Sequence, residues 1–190
     1  MTTGYQGRVA GKDPGNDLRY AYDEAVTFQL DMSPICGGYT YVQQGGAAPA
    51  YLVNSFGNPS YVAPSAAGVV WEANKPLDTI LENITDAPGV IATATGISVR
   101  YYRANVNCLI TVTLYGMAKG GAQAAALQTW TQAADFTATA AWTTFTDSFS
   151  DALDVEGNVY WLYISAFDNG GLADVRLADV LLNISKTAVE

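Results

Sequence analysis

The sequence predicts an all-β protein: a jelly-roll-like two-sheet β-sandwich preceded by an extended N-terminal arm containing short hairpins. Three observations carry that prediction. Apolar and polar residues alternate with period two through Val106–Tyr115, where Val106, Cys108, Ile110, Val112 and Leu114 share one face. Further strand-like runs follow, separated by turn clusters such as Lys119-Gly120-Gly121, Glu156-Gly157-Asn158 and Asp168-Asn169-Gly170-Gly171. Long amphipathic helical patterns are missing; the one helix-like stretch is the Ala-rich run Gly121–Leu127.

The elements divide at about residue 75. Residues 1–75 are rich in Gly, Pro, Asn and Tyr, with turns at Lys12–Asn16, Cys36–Gly38, Gln44–Gly46 and Phe56–Pro59. Short strands fall between them at Ala25–Leu30, Tyr39–Val42 and Val69–Trp71. Aromatic residues are too frequent here for a disordered tail. This half reads as an ordered arm that buries its rings on another surface, or on its own C-terminal domain.

Residues 76–190 read as the sandwich. Asp78–Ile84 and Gly89–Ala94 supply one or two strands. Ile97–Arg103 alternates, and Arg103-Ala104-Asn105 is short enough to turn a hairpin into the Val106 strand. Leu127–Gln132 is a strand with Trp130 between Gln128 and Gln132, the pattern of an exposed aromatic. Phe145 and Phe149 share a face of Thr143–Phe149. Asn158–Ser165 is apolar on both faces and reads as a central strand with Trp161 in the core. Arg176–Ser185 closes the domain, with Ala178, Val180, Leu182 and Ile184 inward.

Composition removes whole classes of function. The 190 residues carry 9 Lys and Arg against 18 Asp and Glu, a net charge of −9. Phosphate binding needs clustered cations, so nucleic acid is not an expected partner. There is no histidine, which excludes Ser-His-Asp triads, Cys-His pairs and His-ligated metals. No lysine falls in a Ser-x-x-Lys pattern, and Lys119-Gly120-Gly121 is no phosphate-binding loop. No run approaches the ~20 apolar residues of a spanning helix, and no basic, apolar leader opens the chain, so synthesis in the cytoplasm and no membrane partner are expected. Neither an enzyme nor a cofactor is expected.

Some constellations stay open. Asp147, Asp151, Asp154 and Glu156 are hard oxygen donors of the kind calcium takes, yet Asp is also an ordinary turn former. Cys36 and Cys108 form no CxxC pair; they are a disulfide or two buried thiols. Trp130, Trp142 and Trp161 are a sugar platform or core and interface residues. Arg100 and Arg103 bracket Tyr101 and Tyr102, a contact patch for an acidic partner or a solvated strand end.

The opening Gly4-Tyr5-Gln6-Gly7-Arg8-Val9-Ala10-Gly11 and the segment Tyr22-Asp23-Glu24-Ala25-Val26-Thr27-Phe28 resemble the N-terminal portions of cement (decoration) proteins of tailed-phage heads, cyanophages included. Arg100-Tyr101-Tyr102-Arg103, Leu109–Tyr115 and Arg176–Ile184 are similar to β-sandwich modules of phage head and fibre proteins. The resemblance implies a non-enzymatic virion protein on the outer capsid surface. It implies a homotrimer that stabilises contacts between major capsid protein subunits. In that reading Tyr5, Arg8, Tyr20, Tyr22 and Phe28 contact the capsid, and Arg100, Tyr102, Arg103 and Trp130 contact the trimer or a partner. The alternative is a receptor- or glycan-binding sandwich of a phage fibre or cell surface.

Overall fold

A computed structural model of the chain describes residues 9–12, 18–20, 26–33, 40–44, 50–52, 61–64, 68–84, 90–169 and 174–188. The elements in chain order are β1 (Val9–Lys12), β2 (Leu18–Tyr20), β3 (Val26–Asp31), β4 (Thr40–Gln44), β5 (Ala50–Leu52), β6 (Tyr61–Ala63), β7 (Val69–Pro76), α1 (Asp78–Ile84), β8 (Val90–Arg103), β9 (Leu109–Ala118), β10 (Ala125–Thr131), β11 (Trp142–Leu153), β12 (Asn158–Asp168) and β13 (Val175–Ala188). All the strand pairings among them are antiparallel.

Two sheets make the sandwich. One runs β11-β8-β13-β6-β5, with β3 also paired to β13; the other runs β10-β9-β12-β7-β4. Setting aside β4–β6, the orders β3-β13-β8-β11 and β7-β12-β9-β10 are those of a jelly roll, in which the chain winds to and fro between sheets. The expected fold class is therefore present.

The expected division at residue 75 is not. β7 is an interior strand, bonded to β12 from Trp161↔Pro76 to Asp168↔Val69 and to β4 on its other side. β3 pairs with β13 over Val26–Asp31. The supposed arm thus supplies the first two strands of the jelly roll, β3 and β7. Turn-rich sequence between short strands concealed this, because partners such as Pro76 with Trp161 and Val26 with Lys186, far apart in the chain, leave no local sign. Tyr5, Arg8 and Tyr22 lie outside the described residues, as does the side chain of Tyr20.

Alternation buries one face of each strand. Ile97, Val99 and Tyr101 of β8 meet Ile110, Val112 and Leu114 of β9, Leu162 and Ile164 of β12, and Val180, Leu182 and Ile184 of β13 in one core. Two irregularities shift which parity of residues faces the core. Thr95 is an extra residue in β8 against β13, and Ala178 an extra residue in β13 against β8. Gly96 follows the first: a Cβ there would stand 2.9 Å from the Asp147 main-chain oxygen.

Three local expectations are corrected. Asp78–Ile84 is a helix, because Leu77 and Leu81, one turn apart, are both buried while Asp78 sits in the first turn and accepts the Tyr160 N–H at 2.8 Å. Gly121–Leu127 is no helix; it is a loop leading into β10, which pairs with β9 from Ala125↔Gly116. The β8–β9 turn extends to Cys108, so Val106 stands 72% exposed at its tip instead of facing the core. Among the described residues no helix is long and apolar enough to cross a membrane.

Candidate functional site

The solvent faces of the two sheets hold the features that the core does not need. On the outer face of the β10–β4 sheet, Tyr115 of β9 lies directly opposite Trp161 of β12. Their rings stack at 5.4 Å with 19° between planes. Tyr163, two residues along β12, meets Tyr115 edge-on at 6.3 Å and donates its hydroxyl to Glu72 Oε1 of β7 at 2.8 Å. The three rings are half-buried and Thr113 beneath them is buried. Burial pushes the Tyr163 hydroxyl above its ordinary value, reinforced by the neighbouring Glu72. The result is a fixed aromatic strip with one carboxylate and the polar side chains of Asn74, Thr111 and Ser165 on the same face.

Trp161 was expected in the core and Trp130 at the surface; the structure reverses them. Trp161 shares the parity of Tyr163, opposite to the buried Tyr160, Leu162 and Ile164. Trp130 is only 2% exposed; its indole N–H goes to Asp147 Oδ2 at 2.9 Å and its ring lies 5.4 Å from Phe149. The strip was legible in principle: Tyr115 continues the Thr111, Thr113 face, and Trp161 and Tyr163 are separated by one residue.

A second cluster occupies the outer face of the other sheet. Trp142 of β11, Tyr102 of β8 and Arg176 of β13 form one cross-strand row. The Arg176 guanidinium lies 4.5 Å from the Tyr102 ring and 5.1 Å from the Tyr61 ring. Trp142 is 5.7 Å from Tyr61 and 6.0 Å from Tyr102. Arg100 stands 6.0 Å from Trp142 and 4.0 Å from its register partner Asp179. Thus the structure does bring Arg100 and Tyr102 together at the surface. Phe28, half-buried on β3, lies apart from them beneath Lys186.

Arg103 does not join that patch. It is 4% exposed and points inward. Its Nε donates to Cys108 O at 2.6 Å, Nη1 to Phe136 O at 2.6 Å and Gln132 O at 3.3 Å, and Nη2 to Val106 O at 2.7 Å. Desolvation by burial lowers the pKa of its guanidinium from the ordinary value. The β8 bulge leaves Arg103 on the inner face, where a planar five-donor group satisfies the carbonyls of two turns at once.

Among the described residues the acidic run brings no three donor side chains together. Asp147 and Asp151 accept from Trp130 and Gln128, and Asp154 caps its own turn through Gly157 N–H and Asn158. Among the described residues one group has metal-ligand spacing: Cys108, Asp168 and Asp174, with donor atoms within 4.8 Å. Its atoms already serve the protein. Cys108 Sγ faces Asp168 Oδ1 at 3.8 Å, Asp168 Oδ2 accepts the Asp174 N–H at 2.8 Å, and Asp174 Oδ2 accepts from Asn105. Burial raises the Cys108 pKa, with the two aspartates adding to it, so the thiol stays protonated. Cys108 is a free, buried cysteine, and Cys36 lies outside the described residues.

No family model matches the chain, and no curated protein matches it. Solved structures are similar at low identity. The family 11 carbohydrate-binding module of a cellulosomal cellulase of Clostridium thermocellum aligns at 12% identity and a TM-score of 0.43, over 85% of this chain and 95% of that one. The xylan-binding module CBM15 aligns at 11% and 0.38, over 88% and 99%. The VP2 subviral particle of infectious bursal disease virus aligns at 13% and 0.38, over 92% of this chain and 36% of that one. The likeness is confined to fold.

Proposed function

We propose that the protein is a non-catalytic binding module, and that the Tyr115–Trp161–Tyr163 strip on the outer face of the β10–β4 sheet takes a neutral carbohydrate chain. The observation that carries this reading is the near-parallel pair Tyr115 and Trp161 at 5.4 Å. A pyranose ring presents an apolar C–H face that stacks on a flat aromatic surface, while its hydroxyls need polar groups at the rim. Glu72, oriented by the Tyr163 hydroxyl, is such a group. The rings are held by cross-strand packing, so little side-chain freedom remains to be lost on binding.

Titration calorimetry against soluble mixed-linkage β-glucan and xylan tests it. Binding by the wild type and at least a tenfold loss in Trp161→Ala is the expected result, since a stacked ring contributes about 1–3 kcal/mol. Failure of the wild type to bind any neutral polysaccharide overturns it.

One observation favours a second reading, the capsid-binding cement role. Arg103 clamps the β8–β9 turn from beneath; the turn presents Val106 and the start of β9 presents Leu109, at 72% and 38% exposure, to solvent. A rigid apolar tip suits a protein surface better than a sugar. Under this reading the major capsid protein is the partner, a homotrimer is the binding unit, and Val106→Asp with Leu109→Asp abolishes co-sedimentation with undecorated phage heads.

A further inference from the structure

We propose that the Trp142–Tyr102–Arg176 row, with Tyr61 and Arg100, is a second carbohydrate site that takes an acidic chain, one built of uronic acid units. It lies on the opposite sheet from the neutral-glycan strip and stands or falls separately.

Charge is the first argument. The chain carries a net charge of −9, yet this face gathers Arg100 and Arg176 around the rings; among the described residues its acids are Asp179, beside Arg100, and Asp31, farther along opposite Leu181. Asp179 faces Arg100 at the outer limit of an ion pair, 4.0 Å, with both side chains more than two-fifths exposed. An acidic protein that gathers arginine and aromatic rings on one sheet face selects a ligand of opposite charge.

Shape is the second. The Arg176 guanidinium lies against the Tyr61 and Tyr102 rings, at 5.1 and 4.5 Å. Packing on rings fixes the plane of its N–H fork, the geometry that matches a planar carboxylate. Trp142 stands beside both tyrosines and within 6.0 Å of Arg100. A uronic acid unit carries both complements in one residue: a C–H face for the indole and a carboxylate for the arginines. The row is built on paired strands, Trp142↔Tyr102 and Arg176↔Tyr102, so its members keep their spacing without a ligand.

Affinity electrophoresis and calorimetry with polygalacturonate test this, with the methyl-esterified polymer and poly-glutamate as controls. The expected result is binding to polygalacturonate that weakens as salt rises from about 0.05 to 0.5 M. Esterification, which removes charge and keeps the rings, weakens it about tenfold. Arg100→Gln/Arg176→Gln and Trp142→Ala each lose about tenfold or more, while Trp161→Ala binds as the wild type does. If the double variant melts early, Arg100→Gln alone, at an exposed position, decides: it must lose about threefold or more. No binding by the wild type, equal binding of the esterified polymer or of poly-glutamate, or unchanged binding by well-folded arginine variants overturns the proposal. Loss of neutral-glucan binding with polygalacturonate binding intact bears only on the other face.

Discussion

The indole N–H of Trp130 donates to Asp147 Oδ2 at 2.9 Å, joining β10 at the edge of one sheet to β11 at the edge of the other. Gln128 repeats the link to Asp151 Oδ2, also at 2.9 Å. These two rungs close one flank of the sandwich, where the sheets would otherwise separate. Asp147→Ala is expected to cost about 1–3 kcal/mol, because it leaves the buried indole N–H without its acceptor. Trp130→Phe combined with Asp147→Ala is expected to cost less than the two single changes added. Urea denaturation of the four proteins measures the coupling; strict additivity would show that the bond does not hold the flank.

Gly96 is a steric requirement of the same region. A methyl group there meets the Asp147 main-chain oxygen at 2.9 Å and Asn183 Nδ2 at 3.3 Å, on strands to either side. Neither paired strand can retreat without breaking its ladder. Gly96→Ala is expected to destabilise by about 1–3 kcal/mol, read as a lowered urea midpoint with an unchanged slope.

Arg103 is a costly side chain to remove. It donates to carbonyls of four residues from a buried position. Arg103→Ala strands those oxygens and is expected to cost about 3 kcal/mol or more. Arg103→Lys recovers little, since an ammonium lacks the planar fork. Thermal melting of both variants checks this; a lysine variant as stable as wild type would contradict it.

Alkali should unfold the protein earlier than acidity alone would suggest. Burial pushes up the Cys108 thiol and the Tyr160 and Tyr163 hydroxyls, whose ordinary values are 9.0, 10.0 and 10.0. The folded state therefore keeps protons that the unfolded chain gives up above those values. Stability is fully present below about pH 9 and falls as pH rises through 9–10 and beyond. Arg103, lowered by desolvation, acts only at still higher pH. Urea midpoints at pH 8, 9.5 and 10.5 measure the slope; Tyr163→Phe should flatten it.

The sequence made the sandwich readable because alternation is a local signal. β9, β12 and β13 announce their inner faces through Ile110, Val112, Leu114, through Leu162, Ile164 and through Val180, Leu182, Ile184. What it concealed depended on distant partners or on one-residue shifts. β3 and β7 look like arm segments until β13 and β12 are placed beside them. Arg103 and Arg100 look alike in sequence, but one lies inside and the other outside. Leu77 and Leu81 mark the short helix by a single apolar pair, too few for periodicity to stand out. The aromatic strip needed only the parity of Tyr115, Trp161 and Tyr163; the second cluster needed the register of β11, β8 and β13.

The place of β13 in the jelly roll has a consequence for biogenesis. β13 lies between β8 on one side and β3 and β6 on the other, so among the described strands it alone joins these segments. A ribosome delivers it after every one of its partners. Until it emerges, the β8–β11 pair and β3 wait with open edges, a state prone to mispairing with a neighbouring nascent chain. Closing the sheet then requires contacts such as Gln29 with Asn183, 154 residues apart, which places this protein among slow-folding topologies.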